Sequence, residues 1–215
     1  MKTISILGTG EVGQTLASGF VKYGYSVIFG TRDPKKKIEW KDASLESAKI
    51  VSYSLAVKDA DLVVIALKGS VAEEVVKSIA KDISKKIVID VTNPLSDTPP
   101  TNGVIKFFTN SDESLMERLQ KLATEAFFVK AFNSVGNHLM VNPDFGKEKP
   151  TMFFCGNDEK AKKEVGKIIT LFGFEPEDMG KATSAGVIES LCILWCIPGF
   201  LRNEWSHAFR LLKKK

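Results

Sequence analysis

The sequence predicts a doubly wound α/β fold, in which a mostly parallel sheet is followed by a helical C-terminal segment. Over residues 1–180, apolar strand-like runs alternate with stretches of helical periodicity, a pattern that favours a parallel sheet covered by helices on both faces. The motif Gly8-x-Gly10-x-x-Gly13 directly follows the first apolar run. A strand, this turn and a helix in succession are typical of a Rossmann-type dinucleotide site. From residue 181 onward the pattern is helical only, so we divide the chain into a Rossmann domain, 1–180, and a C-terminal helical segment, 181–215.

Each glycine of the motif has its own expected role. Gly8 allows a tight turn after the strand, and Gly10 allows backbone N–H groups to approach a pyrophosphate. Gly13 allows the following helix to pack closely on the sheet. The phosphates of a dinucleotide are then expected at the N-terminus of that helix, because unpaired N–H groups and the helix dipole favour anions there.

The end of the second apolar run, 25–30, indicates which dinucleotide is bound. NAD sites place an acidic residue about 20 residues beyond the glycines, whereas an arginine accommodates the 2′-phosphate of NADP. Here the run is followed by Thr31 and Arg32, and then by three lysines that include Lys36. Asp33 precedes a proline and is typical of a turn. We therefore predict NADP(H) as the cofactor, since a hydroxyl and a guanidinium suit a phosphate monoester. The alternative is that these cations form only a solvated surface run.

The remaining elements extend the same alternation. Further strands are predicted at 50–53, 61–67, 86–91, 126–132 and 151–156, with a short edge strand at 174–179. Helices are predicted at 42–49, 71–83, 111–123 and 158–172. In open α/β sheets ligands bind outside the carboxyl ends of the strands, so the residues that follow two of these strands are expected beside the nucleotide: Leu67, Lys68 and Asn93, with a loop that reaches Val71.

Two stretches lie outside this alternation. Residues 96–110 are rich in Pro, Thr, Asn and Asp and predict a loop, a candidate flap over the site. In the C-terminal segment, Val187, Leu191, Leu194 and Trp195 are spaced for one apolar helix face. We expect Pro198-Gly199 to end that helix and a second helix to follow at 201–212. The apolar face is expected either on the sheet of its own chain or in a homodimer interface.

Composition excludes several classes of function. The chain has 215 residues, a net charge of +4 and three cysteines. This mild charge does not indicate nucleic acid binding, and cysteines without metal-ligand spacing predict reduced thiols, a cytoplasmic protein and no metal site. No signal peptide and no membrane association are expected. The most apolar run, 187–201, is interrupted by Glu189 and Pro198 and falls short of about 20 spanning residues.

Candidates for acid–base chemistry are few. No serine-hydrolase or metallohydrolase motif is present in the sequence. His138 and Asn133 follow a predicted strand, and Lys68 follows another, so each could donate a proton to or orient a carbonyl substrate. The alternative for His138 is a polar residue at the rim of the site. Hydride transfer between two cofactors needs no such residue, because the protein then supplies proximity and orientation.

Several motifs together resemble one known family. They are Gly8-Thr9-Gly10-Glu11-Val12-Gly13, Gly30-Thr31-Arg32, Asp90-Val91-Thr92-Asn93-Pro94, Val129-Lys130-Ala131-Phe132-Asn133, Phe154-Cys155-Gly156 and Glu177-Asp178-Met179-Gly180. This set resembles the coenzyme F-420-dependent NADP oxidoreductases and the related cytoplasmic reductase domain of STEAP-type metalloreductases. The resemblance implies an NADP-binding Rossmann domain that exchanges hydride with a flavin or deazaflavin acceptor.

The resemblance also implies roles for particular residues. It places the backbone of Thr9, Gly10, Glu11 and Val12 at the pyrophosphate, and Thr31, Arg32 and Lys36 at the 2′-phosphate. It places Leu67, Asn93 and Ala131 along the path from adenosine to nicotinamide. Iron or copper reduction is not carried over, because the sequence has no counterpart of the membrane-spanning part of the metalloreductases.

Three functions therefore remain open from the sequence. The first is an NADPH-dependent oxidoreductase with a flavin or deazaflavin (coenzyme F-420) as acceptor. The second is an NADPH-dependent reductase of a small carbonyl or imine compound. The third is a sensor that binds NADP without turnover, which a shared fold by itself does not exclude.

Overall fold

A single eight-stranded sheet forms the centre of the protein. The computed structural model describes residues 2–110 and 112–214. The strands are β1 (Thr3–Leu7), β2 (Ser26–Thr31), β3 (Lys49–Ser52), β4 (Leu62–Ile65), β5 (Ile87–Asp90), β6 (Phe127–Lys130), β7 (Thr151–Gly156) and β8 (Glu175–Asp178). Their order is β3-β2-β1-β4-β5-β6-β7-β8, so the chain leaves β1 first to one side and then to the other. The predicted doubly wound α/β fold is confirmed, with β8 at the edge.

All neighbouring strands are parallel except β6 and β7, which pair antiparallel. The carboxyl ends of β1 to β6 therefore lie along one edge of the sheet. The switch point is between β1 and β4, on either side of which the crossovers run in opposite directions. In such sheets the ligand crevice opens at that point.

Helices cover both faces of the sheet. They are α1 (Glu11–Lys22), α2 (Tyr53–Lys58), α3 (Gly69–Ile79), α4 (Leu115–Leu122), α5 (Glu159–Leu171) and α6 (Ala185–Arg202). Apolar residues of α1 and α5 form one core with the sheet. Residues of α2, α3, α4 and the start of α6 form a second core on the opposite face. Because both faces are covered, the central strands are apolar at nearly every position.

Several predicted boundaries differ from the structure. Gly69 and Ser70, predicted as loop, belong to the first turn of α3, and this helix ends at Ile79 instead of residue 83. The helix predicted at 42–49 is a single 3-10 turn, Ala43–Leu45, and α2 was not predicted. The helix predicted at 111–123 begins at Leu115, because a Ser114–Glu117 capping box fixes its start; Ser111 lies outside the described residues.

The C-terminal segment differs most from the prediction. Helix α6 continues through Pro198 and ends at Arg202; the next residue, Asn203, adopts a left-handed conformation with φ +55°. In place of a second helix, residues 203–214 form a tail that runs back to β7, where Thr151 N donates to Phe209 O at 2.8 Å. Of the residues predicted for one apolar face, Trp195 is buried, whereas Val187 and Leu194 are 71% and 54% exposed and do not pack on the sheet of their own chain.

The face of α6 opposite Val187 and Leu194 is the buried one. It carries Ile188, Glu189, Cys192, Trp195 and Cys196. The segment Ala182–Arg202 is long and apolar enough to cross a bilayer by length and composition, and 39% of its most apolar window is buried. A buried, ion-paired Glu189 fits a helix that packs on the sheet of its own chain.

The stretch 96–110 contains a hairpin-like excursion. Ser96 N donates to Lys106 O at 2.8 Å, and Phe108 N donates to Pro94 O at 2.9 Å. Asn102 and Gly103 at its tip both have positive φ, as a two-residue hairpin turn of the primed type requires. Ile105 is buried with Trp195 of α6 in a third apolar cluster. The predicted loop is therefore docked on α6.

A buried ion cluster fastens α6 to the sheet. Lys130 Nζ, at the end of β6, lies 2.7 Å from Asp90 Oδ2 and 3.0 Å from Glu189 Oε1. It also donates to Thr92 O at 2.8 Å. The Glu189 carboxylate accepts the N–H groups of Leu115 and Met116, both at 3.1 Å. One acidic side chain of α6 thus contacts a cation of the sheet and the N-terminus of α4, where a negative charge is favourable.

Candidate active site

A continuous crevice runs along the carboxyl edge of the sheet. It consists of three adjoining cavities of about 760, 400 and 430 Å³. The first extends from the glycine turn to Arg32 and the second from the glycine turn to Asn93. The third extends from Asn93 to Trp195 and Trp205. Adjacent cavities share lining residues, so a ligand longer than a mononucleotide can extend from β2 to α6.

The glycine motif has the geometry that its predicted roles require. Gly8 has φ +116°, and a Cβ there would lie 2.3 Å from Ala66 O. A Cβ on Gly13 would lie 2.2 Å from Gly8 O, so helix and strand approach too closely for any side chain. By contrast, a Cβ on Gly10 would meet nothing within 4 Å. That open space lies at the N-terminus of α1, whose N-cap makes no side-chain hydrogen bond and leaves N–H groups for an anion.

The cationic end of the crevice lies at the carboxyl ends of β2 and β3. Thr31, Arg32 and Lys36 line the largest cavity. In the described part of the chain no ion pair involves Arg32 or Lys36, and both are exposed. Asp33 accepts the N–H of Lys35 at 3.1 Å, as a turn residue does. These unpaired cations fit a phosphate monoester.

Tyr53 belongs to the same end of the crevice and was missed as a site residue. It follows β3 directly and lines the cavity together with Arg32. Burial raises the pKa of the Tyr53 hydroxyl, although the nearby Arg32 charge opposes the shift. Its position just beyond a strand end is the signal that could have identified it.

Two polar side chains connect the glycine turn to its surroundings. Glu11 pairs with Lys41 and accepts the amide of Asn137 at 3.0 Å. The hydrogen bond with Lys41 is the main reason why the pKa of Glu11 is lowered. Gln14 donates to Thr9 O at 3.1 Å and to Glu39 O at 3.2 Å. The segment at 39–41 is therefore tied to the turn, a role that sequence reasoning did not assign.

Asn93 and Asn133 form a reciprocal amide pair where the second and third cavities meet. Asn93 Nδ2 donates to Asn133 O at 2.8 Å, so Asn93 Oδ1 is left as an acceptor. Asn133 Nδ2 donates to that Oδ1 at 2.9 Å and to Ile188 O at 3.0 Å. These acceptors determine the amide orientation, because a flipped Asn133 would oppose oxygen to oxygen. Its Oδ1 is buried and has no hydrogen-bond partner among the described residues.

The structure places most predicted site residues on the crevice. Lining residues are Gly8, Thr9, Gly10, Glu11, Val12, Thr31, Arg32, Lys36, Leu67, Lys68, Val71, Asn93, Asn133 and His138. Gly13 and Ala131 line none of the three cavities, and Ala131 is fully buried in the core. His138 is exposed in the 3-10 turn Asn137–Leu139 at the rim.

The third cavity has an aromatic wall that sequence reasoning did not assign to the site. The Trp195 indole donates to His207 O at 2.8 Å, and its ring stacks on that imidazole with centroids 5.0 Å apart. The Trp205 ring packs against Gly199, where a Cβ would lie 2.3 Å from it. The tail thus closes this cavity from the side of α6. In the described residues no group of three His, Cys, Asp or Glu side chains could hold a metal ion.

The N-terminal part of the chain matches a known family. Residues 3–94 match the family of coenzyme F-420-dependent NADP oxidoreductases. This match confirms the resemblance seen in the sequence. A candidate F-420-dependent NADP reductase from Arthrobacter sp. FB24 shares the fold with a TM-score of 0.88 and 27% identity, over 98% of this chain and 99% of that one.

A curated protein and a further solved structure are also similar to the chain. Metalloreductase STEAP3 of Rattus norvegicus is 28% identical over 205 residues, which make up 92% of this chain and 38% of that protein. The chain thus spans less than two fifths of that relative's length. The structure of pyrroline carboxylate reductase from Plasmodium falciparum, solved with NADP bound, matches with a TM-score of 0.60 over 94% of this chain and 65% of that chain. At 15% identity it shows the fold alone. The family match and the similar Arthrobacter protein support an NADP-dependent oxidoreductase with NADP(H) as the dinucleotide.

Proposed function

We propose that the protein transfers hydride between NADP(H) and a flavin or deazaflavin acceptor such as coenzyme F-420. The observation that carries this proposal is the form of the crevice. A stretch suited to a dinucleotide runs from Arg32 to Asn93, and an aromatic-walled cavity adjoins it at Asn93. Such a wall suits a planar ring system.

The nucleotide half of the crevice supplies groups for each part of NADP(H). Arg32, with Thr31 and Lys36, would bind the 2′-phosphate through charge-assisted hydrogen bonds. The N-terminus of α1, beside the open space at Gly10, would bind the pyrophosphate. The bound dinucleotide supplies the hydride, and the chain positions it by holding both ends.

At the junction, Asn93 and Asn133 would orient the reacting rings. The unpartnered Asn133 Oδ1 is an acceptor that a ligand N–H or O–H can satisfy, and an unsatisfied buried acceptor costs about 1–3 kcal/mol. Hydride transfer between two cofactors needs no proton donor from the protein. This agrees with the position of His138, which is exposed at the rim of the third cavity.

The test is a titration of the purified protein with NADPH and with NADH, followed by anaerobic addition of F-420, FMN or riboflavin. We expect binding selective for NADPH and loss of the nicotinamide absorbance on addition of an acceptor. Selective binding without oxidation by any of the three would refute the proposed acceptor and leave the dinucleotide site standing.

The second candidate is reduction of a small carbonyl or imine compound. The specific observation in its favour is that Lys68, Asn133 and His138 all line the crevice. Its signature is a pH–rate profile that changes when Lys68 or His138 is replaced. Full activity of both variants on a substrate found by screening would exclude these roles.

We also propose a cytoplasmic homodimer, with the exposed side of α6 as its interface. Val187, Leu194 and Leu201 expose 71%, 54% and 54% of their surface and recur at heptad spacing, as in paired helices. Sedimentation of the wild type and of Leu194→Glu tests this, since the charge should produce monomers. A wild type that sediments as a monomer excludes the dimer.

A further inference from the structure

The third cavity contains a pair of cysteines that the proposed hydride transfer does not use. Cys192 and Cys196 lie one turn apart on the buried face of α6. Both line the cavity, together with Trp195 between them in sequence. They are 6% and 8% exposed, so the cavity is their route to solvent.

The two thiols interact with one another. A hydrogen bond between them lowers the pKa of Cys196 and raises that of Cys192. The two sulfurs are thus close enough to share one bound atom. Cys155 provides a contrast within the same chain. Burial raises the pKa of its thiol to about 12, and it lines none of the three cavities.

The helical spacing distinguishes between the chemistries open to two thiols. Side chains at i and i+4 on a helix have Cβ atoms about 5–6 Å apart, whereas a disulfide needs a Cβ separation of about 3.5–4.5 Å. Direct S–S bonding would therefore require α6 to distort. A single atom inserted between the two sulfurs fits the helix as it stands.

The number of ligands identifies the class of that atom. Structural zinc is held by four protein ligands, and the described residues contain no group of three His, Cys, Asp or Glu side chains at one site. Thiolate ligands select Cu(I), zinc and iron–sulfur clusters. Zinc and iron–sulfur clusters need more protein ligands than two, so two thiolates alone suit the soft monovalent cation Cu(I).

We propose that Cys192 and Cys196 form a two-coordinate dithiolate site for one soft monovalent cation, Cu(I), in the wall of the third cavity. Binding forms two metal–sulfur bonds, and the two thiol protons leave to solvent, with no change of oxidation state. An ion bound there narrows the cavity beside Trp195, so it should also weaken binding of any acceptor that the cavity takes.

The experiment uses Cu(I) supplied anaerobically from its bicinchoninate complex, without NADPH, so that nothing depends on the proposed hydride transfer. Wild type and Cys155→Ser should each withdraw one equivalent of Cu(I), as the loss of the complex's colour reports. Cys192→Ser and Cys196→Ser should withdraw none while keeping their circular dichroism. Uptake retained in both single variants, or lost in Cys155→Ser, would overturn the assignment.

A second measurement needs no variant and so does not depend on variant folding. Wild type is treated with iodoacetamide with and without one equivalent of Cu(I), and peptides are mapped by mass spectrometry. Cu(I) should protect Cys192 and Cys196 at least tenfold, whereas Zn²⁺ should not. Equal alkylation with and without Cu(I), or equal protection by Zn²⁺, would refute a two-coordinate site for this cation.

Discussion

Replacing Lys130 with methionine should destabilise the protein strongly. The methionine keeps most of the side-chain volume but removes the ammonium group, which contacts Asp90, Glu189 and Thr92 O at 2.7, 3.0 and 2.8 Å. The two carboxylates are 0% and 1% exposed, so solvent does not replace the lost cation.

The magnitude follows from the fate of those carboxylates. Removing one partner of a buried ion pair costs about 3–5 kcal/mol, because it leaves an uncompensated buried charge. For a domain of this size, 1 kcal/mol corresponds to about 2–4 °C in Tm. We therefore expect the Tm of Lys130→Met to fall by about 6–20 °C.

The matched control is Lys162→Met. The Lys162 side chain is also buried, at 6% exposed, but its partners Glu159 and Asp178 are 75% and 42% exposed. They stay hydrated when the cation is lost, so the expected cost is about 1 kcal/mol or less. Urea denaturation followed by circular dichroism measures both variants. Equal losses in the two would show that burial of the partner carboxylates does not determine the effect.

The pH dependence provides a second check on the same cluster. Burial alone would lower the pKa of Lys130, but Asp90 and Glu189 outweigh it and raise the pKa above its ordinary 10.5. A cation with a raised folded pKa contributes its full stability below the unfolded value and loses it as pH rises through the folded one. The difference between wild type and Lys130→Met should thus persist from neutral pH to 10.5 and shrink above it. A difference that shrinks before pH 10.5 on the alkaline side would contradict the shift.

Three further predictions concern the crevice. Gly10→Ala should keep the wild-type Tm but weaken NADPH binding, because its Cβ enters only the open space where we place the phosphates. Gly13→Ala should instead lower the Tm, because its Cβ would lie 2.2 Å from a backbone oxygen. The reverse pattern would refute these roles. In calorimetric titrations, Arg32→Ala should weaken NADPH binding by about 1.5–3 kcal/mol and barely affect NADH binding. Equal losses for the two dinucleotides would show that the 2′-phosphate does not bind at Arg32. Gly199→Ala should displace the Trp205 ring, which would lie 2.3 Å from the new Cβ, and shift tryptophan emission to the red; unchanged emission would show that the tail is not held there.

The sequence by itself predicted the fold class, and the residues that it predicted for the nucleotide end of the site line one cavity in the structure. A central parallel strand is buried on both faces, which excludes polar residues from it. Apolar runs such as 62–65 therefore predict strands, and this run is a strand in the structure. The glycine motif could be interpreted because Gly8 and Gly13 meet local steric needs, while Gly10 leaves open space at the start of α1. Thr31 and Arg32 could be placed because they follow β2 directly, and parallel topology brings strand ends to one edge.

Only the tertiary structure decided how the C-terminal segment completes the site. Glu189 looked like an interruption of an apolar helix, yet its carboxylate joins Lys130 and the start of α4. The same contact turns the Val187 side of α6 outward and Cys192 toward the crevice. Periodicity along a chain shows that a helix has an apolar side. It does not show which residue will pair with a buried charge such as Glu189. That choice depends on contacts between residues distant in sequence, such as the ion pair of Glu189 with Lys130.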